Sequence, residues 1–286
     1  MTAFWSKLQR TLPRAISSMS ALLSPSAAVC LVCGKSEYQA SRTNFLSLCS
    51  SCSRAIPWIT HIKCSICGRP ESCSDCIRRQ DTSFLLNRSA VRYDSLIREW
   101  LALYKYRGHE ALEPLLSEIL LAAYQRLLQD LRKRNSSFQM DAFIPVPVSE
   151  ERLLERGFNQ AERMAAYLSG RTETQVHEVL RRTLHSDKQS FKTRGARLRD
   201  TQKLFTVDDQ SILSMLSAID KRAVSHQSSN SRSSSLAPPI LHLLIIDDIY
   251  TTGSTVNACA AAISESLQAL CLEVQTDIFV LTLARS

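Results

Sequence analysis

The amino-acid sequence predicts an α/β protein, a parallel sheet flanked by helices, preceded by a small cysteine-rich module. Three observations predict it. From residue 87 onward, short apolar runs with strand character alternate with stretches of helical periodicity. Four Cys-x-x-Cys pairs fall within residues 30–76, and vicinal pairs at that spacing suit a tetrahedral metal. The apolar run at 241–246 ends in two adjacent carboxylates, Asp247 and Asp248, before a turn rich in Thr, Ser and Gly. Parallel sheets bind ligands at such carboxyl ends.

The N-terminal stretch 1–29 has helical periodicity. Trp5, Leu8, Leu12, Ile16, Met19 and Leu23 recur at three- and four-residue steps, with Lys7, Arg10 and Arg14 among them. This is the pattern of a helix that lies on a membrane surface or a partner, or that packs on its own domain. Residues 30–80 form the cysteine module. Sequence order assigns Cys30, Cys33, Cys49 and Cys52 to one ion and Cys64, Cys67, Cys73 and Cys76 to a second. The short five-residue span between the last two pairs leaves an interleaved pairing as the alternative. All-cysteine zinc sites leave no coordination position open, so they are structural, and a module this small depends on metal to fold. His61 precedes the third pair and is an alternative ligand.

Residues 87–286 form the larger domain. Strands are expected at 89–93, 143–148, 176–180, 241–246 and 277–283. Helices are expected at 94–105, 111–131, 159–168 and 255–270, and a polar link at 132–140. Cys259 and Cys271 read as core thiols. The stretch 181–205 is basic and poor in apolar residues, so it reads as an exposed loop. Between 181 and 199, seven basic residues face only Asp187. Residues 225–239, SHQSSNSRSSSLAPP, read as a flexible low-complexity insertion.

Composition bounds the rest. A chain of 286 residues holds about two domains. Its 44% hydrophobic content is enough to bury a core, which excludes a disordered chain. The formal charge of +8 suits anionic partners. Two zinc ions on eight thiolates would change it by −8 + 4 = −4, to about +4, so charge alone argues weakly for nucleic acid. Residues 1–29 contain neither an uninterrupted apolar run nor a small-residue cleavage pattern before Cys30. No stretch approaches the ~20 apolar residues of a spanning helix. The setting expected from these features is reducing and cytoplasmic, with membrane association only through residues 1–29.

The stretch 243–255, LLIIDDIYTTGST, carries the most chemistry. Backbone N–H groups at a helix start hold a phosphate, assisted by the helix dipole. Gly253 lets the backbone come close, and Thr251, Thr252, Ser254 and Thr255 add hydroxyl donors. Asp247 and Asp248 can accept hydrogen bonds from the two hydroxyls of a ribose. Phosphate at one end and diol at the other describe ribose 5-phosphate. The competing nucleotide loops, G-x-x-x-x-G-K-[ST] and G-x-G-x-x-G, are both absent.

That segment resembles the phosphoribosyl pyrophosphate (PRPP) motif of type I phosphoribosyltransferases. The cysteine pairs, Tyr104-Lys-Tyr-Arg-Gly108, Ile144-Pro-Val-Pro-Val148 and Arg152-Leu-Leu-Glu-Arg-Gly-Phe-Asn-Gln160 narrow the resemblance to the ComF family of competence-associated proteins. It covers residue 28 to the end of the sequence. The resemblance implies a type I phosphoribosyltransferase-like sheet behind a double zinc ribbon. Asp247 and Asp248 would hold the ribose diol, and Thr251 to Thr255 the 5-phosphate. Arg152, Arg156 and Asn159 would meet pyrophosphate and its magnesium. A mobile loop at 185–200 would close over the reacting centre, where Gln189, Arg194, Arg197 and Arg199 stand. Asp247, Asp248, Arg194 and Arg197 would be the catalytic groups, the acidic pair favouring an oxocarbenium-like sugar and the arginines the leaving pyrophosphate. Lys105 and Arg107 are candidates for a phosphate or nucleic acid, or a helix cap. The implied function is binding of PRPP or a related ribose 5-phosphate in uptake of transforming DNA, alongside the ComFA ATPase. The alternatives are a phosphoribosyltransferase acting on a nitrogen nucleophile, and a single-stranded-DNA- or partner-binding protein with a vestigial ribose-phosphate site.

Overall fold

A computed structural model of the chain describes residues 29–36, 48–78, 82–183, 204–227, 240–270 and 274–286. The chain divides into two units, Met1–Ala55 and Ile56–Ser286. Among the described residues no helix is long and apolar enough to cross a membrane. Of the amphipathic stretch expected at 1–29, residues 1–28 lie outside the described residues.

In the smaller unit the turn after Cys30 is closed by Cys30 N–H to Lys35 O (2.9 Å) and Gly34 N–H to Cys30 O (2.9 Å). Gly34 has φ +69°, which such a turn requires. The short helix α1 (Ser50–Arg54) begins at Cys49, whose sulfur accepts from Cys52 N–H at 3.4 Å. A thiol therefore caps the helix that carries its own Cys-x-x-Cys partner.

The larger unit is built on five strands in the order β1 (Leu86–Arg92), β7 (Gln275–Arg285), β6 (Ile240–Tyr250), β2 (Ala142–Pro145), β3 (Gln175–Val176). Every pair is parallel, as strands linked by helical crossovers must be. Ile144, Val146, Leu243 and Ile245 share one core cluster with residues of α7 (Asp209–Gln227) and α8 (Ser254–Ala269). Alternation sends Phe143 to the other face, where its ring meets Tyr124 edge-on at 5.3 Å. Tyr124 belongs to α4 (Leu112–Arg132), which packs with α6 (Gln160–Ser169). Helices thus cover both faces, which is why the middle stretches of β1, β2, β6 and β7 are buried.

Two further helices frame the carboxyl end of the sheet. Asp94 caps α3 (Ser95–Tyr106) through Ile97 N–H at 3.0 Å, and Ser149 caps α5 (Glu150–Arg156) through Arg152 N–H at 3.4 Å. Gly157, at φ +77°, ends α5 in the left-handed conformation.

The larger unit departs from the sequence reading in four places. The strand expected at 176–180 is two pieces, β3 and the separate β4 (Leu180–Arg182). The basic stretch is not loop throughout: β4 pairs antiparallel with β5 (Phe205–Val207), while residues 184–203 lie outside the described residues. Helices α5 and α7 were not expected. The first buries none of its residues, and the second seats Ile212, Met215 and Ile219 while leaving Leu213 exposed. Helix α7 also runs to Gln227, so the expected insertion at 225–239 starts as helix, and 228–239 lie outside the described residues. A short helix α2 (Ser74–Arg78) carries Cys76.

Candidate functional site

The site begins where two neighbouring strands part. The β2–β6 register ends at Pro145 opposite Ile246, with one further bond from Val146 N–H to Ile246 O at 2.9 Å. Beyond it β6 keeps pairing with β7, Asp247 opposite Thr282 and Tyr250 opposite Arg285. Connections from β2 and β6 leave in opposite directions, to β3 and to β7, so the gap is a topological switch point. A cleft of about 180 Å³ opens there.

Its walls are charged. Asp247 and Asp248 stand on the β6 side and Thr255 at the start of α8; Lys105, Arg152, Arg156 and Arg182 come from α3, α5 and β4. The Lys105 ammonium is ion-paired with Asp248, both side chains being largely buried. Asp248 N–H donates to Asp247 Oδ1 at 2.8 Å. Burial first, and then the neighbouring Asp248 carboxylate, push the Asp247 carboxyl up to about 8, against the lowering pull of that backbone donor and of Lys105 and Arg182.

The turn after the acidic pair is shaped by Gly253. It caps α8 with φ +80°, and a Cβ there would run into the Tyr250 ring. Glycine brings no side-chain cap, and Ser254 N–H donates to Thr252 Oγ1 at 3.4 Å; the start of α8 still presents a helix N-terminus, which favours an anion. Thr252 and Ser254 face each other, hydroxyl to hydroxyl, at 3.1 Å. Thr251 and Thr252 are exposed, and Ser254 and Thr255 half-buried.

The other expected binding residues divide. Arg156 borders the cleft and donates to Tyr106 Oη at 2.7 Å, its guanidinium 4.7 Å from that ring. Asn159 borders it too, but its carboxamide is committed at both ends, donating to Val146 O and accepting from Ala161 N–H, each at 3.1 Å. That makes Asn159 the tie that folds the turn 146–159 against β2. Arg107 is exposed at the end of α3. Arg194, Arg197, Arg199 and Gln189 lie outside the described residues, as does Cys271, while Cys259 is fully buried in the core.

Two lining residues carry more than the sequence reading gave them. Lys105 was a candidate for external phosphate, yet its partner is Asp248, 143 positions away. Arg182 was counted only within a basic stretch and reaches the cleft because β4 pairs with β5. Neither contact has a local sequence signal.

The cysteines form two groups, Cys30 with Cys33, Cys49 and Cys52, and Cys64 with Cys67, Cys73 and Cys76. Within each group every sulfur lies within 4.8 Å of the others. This is the sequence-order pairing, not the interleaved one. Zinc–sulfur bonds of about 2.3 Å in a tetrahedron place sulfurs about 3.8 Å apart. Cys33 and Cys49 are 3.7 Å apart, and Cys67 and Cys73 3.6 Å. Both groups could therefore hold structural zinc. The electrostatics agree. In the first group burial works against the Cys30 thiolate, but backbone hydrogen bonds around Cys33 and Cys49 bring the thiol down to about 6. Burial and the neighbouring sulfurs push Cys52 and Cys76 far up. Four crowded thiols cannot all ionise without a cation among them.

No protein-family profile matches the chain. Competence protein ComFC of Bacillus subtilis strain 168 is 28% identical over 253 residues, covering 83% of this chain and 89% of that protein. Competence protein ComFC of Streptococcus pneumoniae is 24% identical, covering 83% of this chain and 94% of that protein. Competence protein F of Haemophilus influenzae is 24% identical, covering 73% of this chain and 81% of that protein.

Proposed function

We propose, from the likeness to ComFC and competence protein F that supports membership of the ComF family, that the chain serves competence by binding a 5-phosphorylated ribose, PRPP or a close relative, in the cleft between β2 and β6. The observation that carries this reading is the sequence of groups along one turn of chain. Two carboxylates stand within the last residues of a long strand, a left-handed glycine follows, and a helix without a side-chain cap on its N-cap glycine begins at once. A vicinal diol and a phosphate about one ribose apart match those two ends.

The remaining walls fit the rest of PRPP. Arg152, Arg156 and Arg182 face the acidic pair across the cleft. Guanidinium groups suit a pyrophosphate bound bidentately, and magnesium would share that charge. Lys105 stands at Asp248, so a ribose diol arriving there would compete with the ammonium for the carboxylate. The same arrangement supports transfer to a nitrogen nucleophile. The C1–oxygen bond would break, pyrophosphate would leave toward the arginines with its electron pair, and the nucleophile's nitrogen would bond to C1 and shed its proton. Asp247 and Asp248 would stabilise positive character on the sugar. Zinc in the two cysteine groups would be structural. Single-stranded DNA and the ComFA ATPase are the macromolecular partners this reading proposes, and residues 1–29 the contact with a membrane surface.

Calorimetric titration of zinc-loaded protein with PRPP and magnesium tests the reading, beside the double variant Asp247→Asn/Asp248→Asn. Micromolar binding that the variant weakens at least about 30-fold is expected, since the hydrogen bonds to the Asp248 carboxylate and to its neighbour Asp247 are lost. Absence of binding to the unmodified protein would remove the ribose-phosphate ligand.

A further inference from the structure

Two arginines lie against the second cysteine group. Arg69 Nη1 is 3.8 Å from Cys73 Sγ and Arg285 Nη2 is 3.7 Å from Cys67 Sγ. They differ in what their other side holds. Arg69 is partly exposed and turns to the surface carboxylate of Asp75, 3.5 Å away. Arg285 is only 5% exposed. Its Nη1 donates to the carbonyls of Tyr250 at 3.2 Å and Thr251 at 2.8 Å, and its guanidinium sits 4.7 Å from the centre of the Tyr250 ring. Those carbonyls belong to the last residue of β6 and the first residue of the turn that leads to Gly253. One planar fork therefore touches a cysteine of the metal group and the backbone of the candidate phosphate turn.

We infer that Arg285 is a positioning residue that couples zinc in the Cys64, Cys67, Cys73 and Cys76 group to the conformation of residues 250–255, and so to ligand affinity; the last step rests on the ribose-phosphate reading. The argument is electrostatic. Four thiolates and one zinc ion sum to −4 + 2 = −2 on a buried cage. An arginine is always charged, and burying it without an opposite charge is costly. Beside the loaded cage Arg285 is paired. Without the metal it keeps its carbonyl acceptors but not a fixed anionic cage, and its hold on Tyr250 and Thr251 loosens. The cage itself is fixed to the sheet: Asn87 on β1 donates through Nδ2 to Cys67 O at 3.0 Å and through its backbone N–H to Ile66 O at 2.6 Å. Movement of the fork is therefore felt at the turn rather than absorbed by the cage. Tyr250 shares in this, because its ring meets both the guanidinium and the side of Gly253 where a Cβ would stand. Linkage then requires that ligand retain zinc as strongly as zinc favours ligand.

Hydrogen exchange of the full-length chain tests the coupling without any ligand. Cys30→Ser/Cys33→Ser confines zinc to the second group. In that background, zinc removal is expected to speed exchange of the amides at 251–256 at least about tenfold more than exchange of the β6 core amides at 243–246, which follow global stability. Adding Arg285→Lys keeps the charge but loses the fork, and Arg285→Gln loses both. In each, the turn should exchange fast whether or not zinc is present. Equal protection of the turn in the Arg285 variants and their parent overturns the inference, as does acceleration of core and turn by the same factor. PRPP titration of the same proteins separates the two claims. Zinc removal is expected to weaken PRPP binding at least about fivefold with Arg285 and less than twofold without it. If the parent binds no PRPP, the ligand reading fails while the exchange result still decides the role of Arg285.

Discussion

Asp247 is a carboxyl that the fold receives poorly as an anion, because it is buried beside Asp248. Its proton affinity is raised on folding, and the consequence for stability has a definite sign. The folded protein holds that proton more tightly than the unfolded chain, so stability is fully present below the ordinary Asp range and falls as pH rises through about 8. Asp247→Asn removes the liability. Its melting midpoint is expected to exceed that of the parent by roughly 2–4 °C at pH 9, the shift that about 1 kcal/mol produces, and to match the parent near pH 4. A midpoint lower than the parent's at both pH values would mean that the carboxylate stabilises the fold. A gain in stability with loss of ligand is the mark of a group kept for binding. Gly253 gives the complementary case. Gly253→Ala forces a Cβ into the left-handed region and into the Tyr250 ring, so calorimetry should find PRPP binding reduced at least tenfold.

At the scale of elements, the two cysteine groups are chemically alike but differently built in. Cys67 and Cys73 belong to a hydrophobic cluster with Phe84 and core residues of β2, β6 and α8, whereas Cys30 and Cys49 lie in the separate smaller unit. Both Cys67→Ser and Cys30→Ser should lower zinc from two per chain to one by elemental analysis. Only Cys67→Ser should lower the main unfolding transition, by roughly 10 °C or more given what a structural zinc contributes; an equal effect of Cys30→Ser would show that the first group supports the larger unit too. The cysteine groups were legible in the sequence because Cys-x-x-Cys is a local pattern with a chemical reason. The strand at 241–246 and its Asp-Asp end were legible for the same reason. Helix α7 was not, because exposed Leu213 and Leu216, only partly buried, dilute the stripe of Ile212, Met215 and Ile219. Arg182 reaches the cleft only through pairing of β4 with β5, and Arg285 meets Tyr250 only through the β6–β7 register. Such placements depend on contacts far apart in sequence, which no local period encodes.

Across the whole molecule, the question is how its positive charge is shared between two anions. Lys105, Arg152, Arg156 and Arg182 converge on a cleft of about 180 Å³, which the proposed reading gives to the sugar phosphate. Binding of single-stranded DNA would then fall to basic residues elsewhere, and the sequence concentrates them between 181 and 199. The two sites can be told apart by salt. Each phosphate contact to a single strand contributes about 0.7 to the slope of log affinity against log salt. Replacing Arg194, Arg197 and Arg199 with Ala should therefore lower that slope by about 2. Asp247→Asn/Asp248→Asn should leave the slope as it was while abolishing PRPP binding. A slope unchanged by the triple substitution would remove these arginines from any DNA contact. A slope that falls in the carboxylate variant would instead mean that the strand and the sugar phosphate share one cleft.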